Sequence, residues 1–273
     1  MNEIPLLLTP GPLTTSATVK EAMLRDWGSR DPAFIAMNAR VLDRLCAIAG
    51  SQENHAAVPV QGSGTFAVEA MIGTLLPRQT AKLLVLVNGA YGHRMVKIAQ
   101  VLGRAVDFME WAEDVPVSPG MVDERLAKDS EITHVAVVQC ETTSGILNPV
   151  AEIAKVVRKH QRLLFIDAMS AFGALPIDAK TVPFLALAAS SNKCLEGVPG
   201  LGFVIADQKA LAASARGLTA SRSCAWPTTT SCSMPSRKAA PARRCRPGTS
   251  SRRATWRTCS SSCVPGRRAR PSP

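Results

Sequence analysis

The sequence predicts an α/β protein whose mostly parallel sheet is flanked by helices. Three observations lead there. Short β-rich runs alternate with helical patterns between residues 57 and 206, the rhythm of repeated βα units. Several of those runs are apolar without alternation, as in strands covered on both faces. The glycine-bearing and polar segments follow the strands, where open parallel sheets keep their ligand-binding loops.

Residues 57–61 form the first strand, and Gln61-Gly62-Ser63-Gly64-Thr65 turns it into a helix over 66–76 with small and apolar residues on its buried side. Lys82–Val87 is an unbroken apolar run, hence a strand buried on both faces. A helix follows over 92–102, a strand over Ala105–Glu110, a helix near 122–128 and a strand over 134–139. Residues 150–160 make an amphipathic helix, because Val150, Ile153, Ala154 and Val157 recur at three- and four-residue spacing. Asn148-Pro149 supplies its start signal. Strands over 162–167, 184–190 and 202–206 complete the series.

The chain has 273 residues and a net charge of +11, with 46% hydrophobic, 4% aromatic and 19% charged residues. That length holds one large domain or two smaller ones. The charge is localised: residues 216–273 contain twelve Arg, one Lys and no Asp or Glu. The remaining 19 basic residues stand against all 21 acidic ones, so the body is near neutral and a generally basic protein is excluded. The same segment lacks Ile, Phe, Tyr, Asn, Gln and His, and it holds Cys224, Cys232, Cys245, Cys259 and Cys263. It cannot bury enough apolar surface to offset the entropy of ordering its backbone. Its composition fits a GC-rich gene translated out of frame better than a natural disordered basic tail, which would keep Glu or Gln and avoid Cys and Trp. The expected organisation is an N-terminal arm over 1–12, a folded domain over 13–215 and an unfolded basic tail over 216–273.

No stretch approaches the roughly 20 apolar residues of a membrane span. The N-terminus has no basic region and Pro5 interrupts its apolar run, so it does not read as a secretory signal. Three scattered cysteines, Cys46, Cys140 and Cys194, suit a reduced compartment. A cytoplasmic protein is expected. His55, His93, His134 and His160 are dispersed and lack metal-ligand spacing. The tail arginines would hold nucleic acid non-specifically if exposed, but Trp226 and Trp256 show no interleaved stacking pattern, so a nucleic-acid partner is not expected.

Chemistry concentrates at the strand ends. Asp167 closes one apolar strand, and Lys193 follows another 26 residues later. A carboxylate and an amine so placed suit pyridoxal phosphate: the amine forms a Schiff base with its aldehyde, and the carboxylate pairs its protonated ring nitrogen. A solvated lysine and an aspartate capping the next turn fit the same residues. The turn at Gln61–Thr65 offers helix-start amides and the Ser63 and Thr65 hydroxyls to a phosphate, or is simply a structural glycine turn. Tyr91, the single tyrosine, follows the strand at Lys82–Val87 and either stacks on a cofactor ring or packs a helix start. Glu141-Thr142-Thr143-Ser144-Gly145 either offers hydroxyls to that ring or forms a capped polar turn.

Taken together, these stretches resemble the class V aminotransferases of fold type I. The matching residues are Leu8-Thr9-Pro10-Gly11-Pro12, Gln61-Gly62-Ser63-Gly64-Thr65 with Val68-Glu69-Ala70, Asn88-Gly89-Ala90-Tyr91-Gly92, and Glu141-Thr142-Thr143-Ser144-Gly145. Asp167-Ala168-Met169-Ser170 and Ser191-Asn192-Lys193-Cys194 with Gly197-Val198-Pro199-Gly200 complete the set. The resemblance implies pyridoxal 5'-phosphate as cofactor, carried covalently by the catalytic Lys193, with Asp167 on its ring nitrogen, Tyr91 on its ring and Thr142 near its ring oxygen. Ser63, Gly64, Thr65 and Asn192 would hold its phosphate. It further implies a homodimer that moves the amine of 2-aminoethylphosphonate to pyruvate, with Lys193 shuttling the proton. Relatives in this family continue into a small C-terminal domain that supplies a substrate-binding arginine. No stretch of the tail resembles it, so no tail arginine inherits that role. The alternatives are another class V enzyme, such as an alanine–glyoxylate aminotransferase, or a non-catalytic protein: an inert fragment or a basic-tailed nucleic-acid binder.

Overall fold

A computed structural model of the chain describes residues 6–217, with side chains to residue 214. The first five residues of the expected arm and the tail beyond Gly217 lie outside the described residues. The elements in order are α1 (Ala17–Ala22), α2 (Pro32–Ile48), β1 (His55–Gln61), α3 (Gly64–Leu75), β2 (Lys82–Val87), α4 (Ala90–Val101) and β3 (Ala105–Glu110). Then come α5 (Pro119–Lys128), β4 (Ile132–Val138), α6 (Val150–Lys159), β5 (Leu163–Asp167), β6 (Ala186–Ser190), β7 (Leu201–Asp207) and α7 (Gln208–Gly217). The seven strands form one sheet in the order β1-β7-β6-β5-β4-β2-β3. Strand β7 runs antiparallel to both β1 and β6, whereas β2–β3, β2–β4, β4–β5 and β5–β6 pair in parallel.

Successive side chains of a strand point to opposite faces, and here both faces are covered. Leu84, Leu86, Val135, Val137, Ile166 and Leu187 pack on one face with α2, α5 and α6. Leu83, Val85, Val87, Ala136, Phe165 and Val204 pack on the other with α3, α4 and α7. This is why the strand sequences read as continuous apolar runs rather than alternating ones. The face each helix takes follows from right-handed crossovers. From β1 to β2 to β3 the chain moves one way across the sheet, putting α3 and α4 on one side. From β3 to β4 to β5 it moves back, putting α5 and α6 on the other. The reversal lies at β2 and β4, and a crevice opens there beyond the carboxyl ends of the strands.

Buried amides fix that crevice. Asn88, just after β2, and Asn148, just before α6, exchange side-chain hydrogen bonds of 2.9 and 3.1 Å. Asn88 also donates to the Val115 carbonyl and Asn148 to that of Val138. The loops leaving neighbouring strands are thereby tied together before any cavity residue is considered. The N-terminal segment reaches the same edge, where the Leu13 amide donates to the Asn192 carbonyl at 3.3 Å.

Candidate active site

At the carboxyl edge of the sheet lies a cavity of about 400 Å³. Each residue singled out from the sequence lines it: Ser63, Gly64, Thr65, Tyr91, Thr142, Asp167, Asn192 and Lys193. They come from the ends of β1, β2, β4, β5 and β6, four of which are neighbours in the sheet. Placement follows from topology: β5 pairs with β6 in parallel, with Asp167 opposite Ala188, so the strand carrying Asp167 lies beside the one that leads to Lys193.

Asp167 is the last residue of β5 and only 3% exposed. Its Oδ1 accepts from the Met169 amide at 3.0 Å, and among the described residues no donor reaches Oδ2. Burial pushes its carboxyl up from 3.8 to about 6; the Met169 bond opposes this, Glu141 adds to it, and Arg94 and Lys193 pull it down. A buried acceptor with spare capacity, facing a cavity, is what a cationic ring nitrogen requires.

Lys193 lies three residues beyond β6, and its Nζ donates to the Gly11 carbonyl at 3.2 Å. Gly11 has φ +134°, and a Cβ there would stand 2.3 Å from the Lys193 Cδ and 2.9 Å from Nζ. Only glycine lets the N-terminal segment lie so close over the amine. Among the described residues the lysine is thus held by a single neutral acceptor, which leaves its nitrogen available for other chemistry.

Ser63 caps α3 with extended backbone (φ −81°, ψ 169°), but its hydroxyl makes no capping bond. Other caps differ: Asp31 accepts from Ala33 at 2.9 Å and Ser118 from Met121 at 3.4 Å. The Ser63 hydroxyl, the helix-start amides and Thr65 could therefore cradle an anion.

Tyr91 stands at the second position of α4. The Arg94 guanidinium lies 4.6 Å from its ring centroid and donates to Thr65 Oγ1 at 3.3 Å. Arg94 lines the cavity and was not anticipated from the sequence. Its three-residue spacing from Tyr91, which puts both on one helix face, was the signal available. Met169, Ser190, Pro199 and Gly200 also line the cavity. Glu141, fully buried beside it, accepts from the Tyr91 amide at 3.3 Å and from Thr143 at its amide (3.3 Å) and hydroxyl (3.0 Å).

Comparison with known proteins places this geometry. The family described as aminotransferase class-V matches residues 43–238, a span that runs past residue 215 into the basic segment. A 2-aminoethylphosphonate–pyruvate transaminase of Pseudomonas putida is 59% identical over 214 residues, covering 78% of this chain and 58% of that protein. One from Pseudomonas aeruginosa is 57% identical over 211 residues, covering 77% and 57%. The chain therefore spans less than two thirds of the length of these relatives. Among solved structures, an alanine–glyoxylate aminotransferase from Nostoc superposes with a TM-score of 0.71 at 27% identity, covering 78% of this chain and 57% of that one. A pyridoxamine–pyruvate aminotransferase from Mesorhizobium loti gives 0.71 at 26%, covering 76% and 53%.

Proposed function

The chain belongs to the class V aminotransferases, and from that premise we propose that its cavity binds pyridoxal 5'-phosphate and serves transfer of the amine of 2-aminoethylphosphonate to pyruvate, giving phosphonoacetaldehyde and alanine. The observation that carries the reading is the convergence of a buried carboxylate, Asp167, and a lightly held amine, Lys193, on one cavity beside an uncommitted helix start. The names of the relatives at 57–59% identity supply the substrate pair.

The residues present fit the cofactor. Lys193 Nζ would bind its aldehyde carbon, and Asp167 would face its ring nitrogen. Tyr91 and Thr142 would bound its ring, and Ser63, Gly64, Thr65 and Asn192 its phosphate. When bound, it supplies an electron sink for the charge left on the donor carbon after a proton leaves. The chain's own residues do the rest. Asp167, ionised by a cationic neighbour, would keep the ring nitrogen protonated. Tyr91, backed by Arg94, limits tilting of whatever lies on its face. Lys193 Nζ, when free, would be the base that accepts the proton of the donor carbon and the acid that gives it back.

A homodimer in the cytoplasm completes the reading. Met23 and Leu24, just after α1, and Ile35 and Ile48 on α2 are exposed, which fits a surface covered by a partner. Among the described residues no helix is long and apolar enough to cross a membrane.

The test is turnover by the full chain loaded with pyridoxal phosphate. Alanine should form from pyruvate only when 2-aminoethylphosphonate is supplied, with phosphonoacetaldehyde appearing in equal amount. Exchange confined to alanine and glyoxylate would contradict the substrate assignment.

A further inference from the structure

Resting on that reading of the cavity, we propose that Glu141 is a positioning residue: its carboxylate clamps together the two loops that present Tyr91 and Thr142 to the cofactor ring.

Glu141 is 0% exposed and, among the described residues, forms no ion pair. A carboxylate stripped of water without a cation is costly unless hydrogen bonds replace the water. Here the replacement comes from two directions. Oε1 accepts from the amide and hydroxyl of Thr143, the neighbour of Thr142, at 3.3 and 3.0 Å. Oε2 crosses to the next loop and accepts from the amide of Tyr91 itself at 3.3 Å. That amide belongs to the first turn of α4, whose unsatisfied N–H groups and dipole favour a negative charge.

The backbone around Glu141 is held separately. Its amide donates to the Ile146 carbonyl at 2.9 Å, and its carbonyl accepts from the Gly145 amide at 2.7 Å. The paired amides of Asn88 and Asn148 fasten the same two segments one step further from the cavity. The side chain of Glu141 is therefore not needed to close either loop. What it adds is a fixed relation between the two residues that bound the ring. The molecule makes room for that reach at Gly89: a Cβ there would lie 2.4 Å from the Glu141 Cγ and 2.6 Å from Cδ. With φ of 162°, Gly89 is called for by space and not by conformation.

Tyr91 is the chain's single tyrosine, so full-length protein made with 3-fluorotyrosine gives one fluorine resonance that reports its ring directly, without cofactor or turnover. The comparison is between the parent chain, Glu141→Gln, which keeps the shape but turns one acceptor into a donor, and Thr143→Ala, an exposed change that removes one of the three bonds. The clamp predicts a shifted or broadened Tyr91 signal in both, larger in Glu141→Gln. It also predicts affinity for pyridoxal phosphate weakened by about tenfold in Glu141→Gln and less in Thr143→Ala. A purely structural role would lower the thermal midpoint while leaving the Tyr91 signal of the folded protein and its cofactor affinity unchanged, and that result overturns the proposal. If Glu141→Gln does not fold, Thr143→Ala decides by the same two readouts. Failure of the parent chain to bind pyridoxal phosphate would sink the reading of the cavity. The fluorine comparison would still show separately whether Glu141 holds Tyr91.

Discussion

Two buried residues make the cofactor-free chain respond to pH in opposite senses. The Asp167 carboxyl is raised from 3.8 to about 6, chiefly by burial. In the unfolded chain it ionises near 3.8, so the folded state loses relative stability as pH rises from about 4 through 6, by about 3 kcal/mol in all. His134, stacked on Phe165 with ring centroids 5.3 Å apart, is lowered from 6.5 to about 4 by burial. The unfolded chain gains that proton first, so stability is lost as pH falls from 6.5 towards 4, again by about 3 kcal/mol. The two nearly cancel in the parent chain. Asp167→Asn removes one of them. Denaturant melts should show this variant the more stable at pH 7, with the gap closing by about 3 kcal/mol as pH falls to 4. Parallel curves would mean that Asp167 titrates like an exposed carboxylate and is not the desolvated group described above.

The helix start at α3 separates a structural from a functional role for a cap. A capping serine is ordinarily worth about 1 kcal/mol, yet the Ser63 hydroxyl bonds nothing in its helix. Ser63→Ala should leave the thermal midpoint unchanged while reducing affinity for pyridoxal phosphate, with affinity for phosphate-free pyridoxal unaltered. Equal loss of both ligands, or a fall in stability alone, would contradict the cradle. The same element shows how far the sequence could be read. The strands at Lys82–Val87 and Ala105–Glu110 were legible to the residue, because their sharp boundaries needed no partner to define them. Helix α3 starts at Gly64 instead of residue 66, since Ser63 is already the extended cap. Helices α1, α2 and α7 went unread. The first buries nothing and carries no apolar stripe; the second does repeat Phe34, Met37, Val41, Leu45 and Ile48 at three- and four-residue spacing behind Asp31-Pro32, so its signal was present in the sequence although it buries only Leu45 and Cys46. Asp167 and Lys193 were legible because each ends or follows an apolar strand. Their adjacency, the antiparallel insertion of β7 and the reach of Glu141 to Tyr91 across 50 residues were not, because only pairing in three dimensions creates them.

At the scale of the whole molecule, a sheet packed on both faces gathers residues from five strand ends into one cavity. That cavity lies at the carboxyl edge of the parallel strands, where open α/β sheets bind their ligands. The chain spans 58% of the length of its Pseudomonas putida relative and carries twelve arginines after Ala215. Cofactor capture, which depends on residues within the described domain, is accordingly the step that tests the account most directly. Purified full-length chain would be mixed with pyridoxal 5'-phosphate and its visible spectrum followed, beside Lys193→Ala. The account predicts a protein-bound visible band that survives gel filtration, is trapped covalently by borohydride at Lys193 and is absent from the variant. A folded parent chain that shows no such band, or a Lys193→Ala variant that keeps it, would contradict the assignment of this cavity.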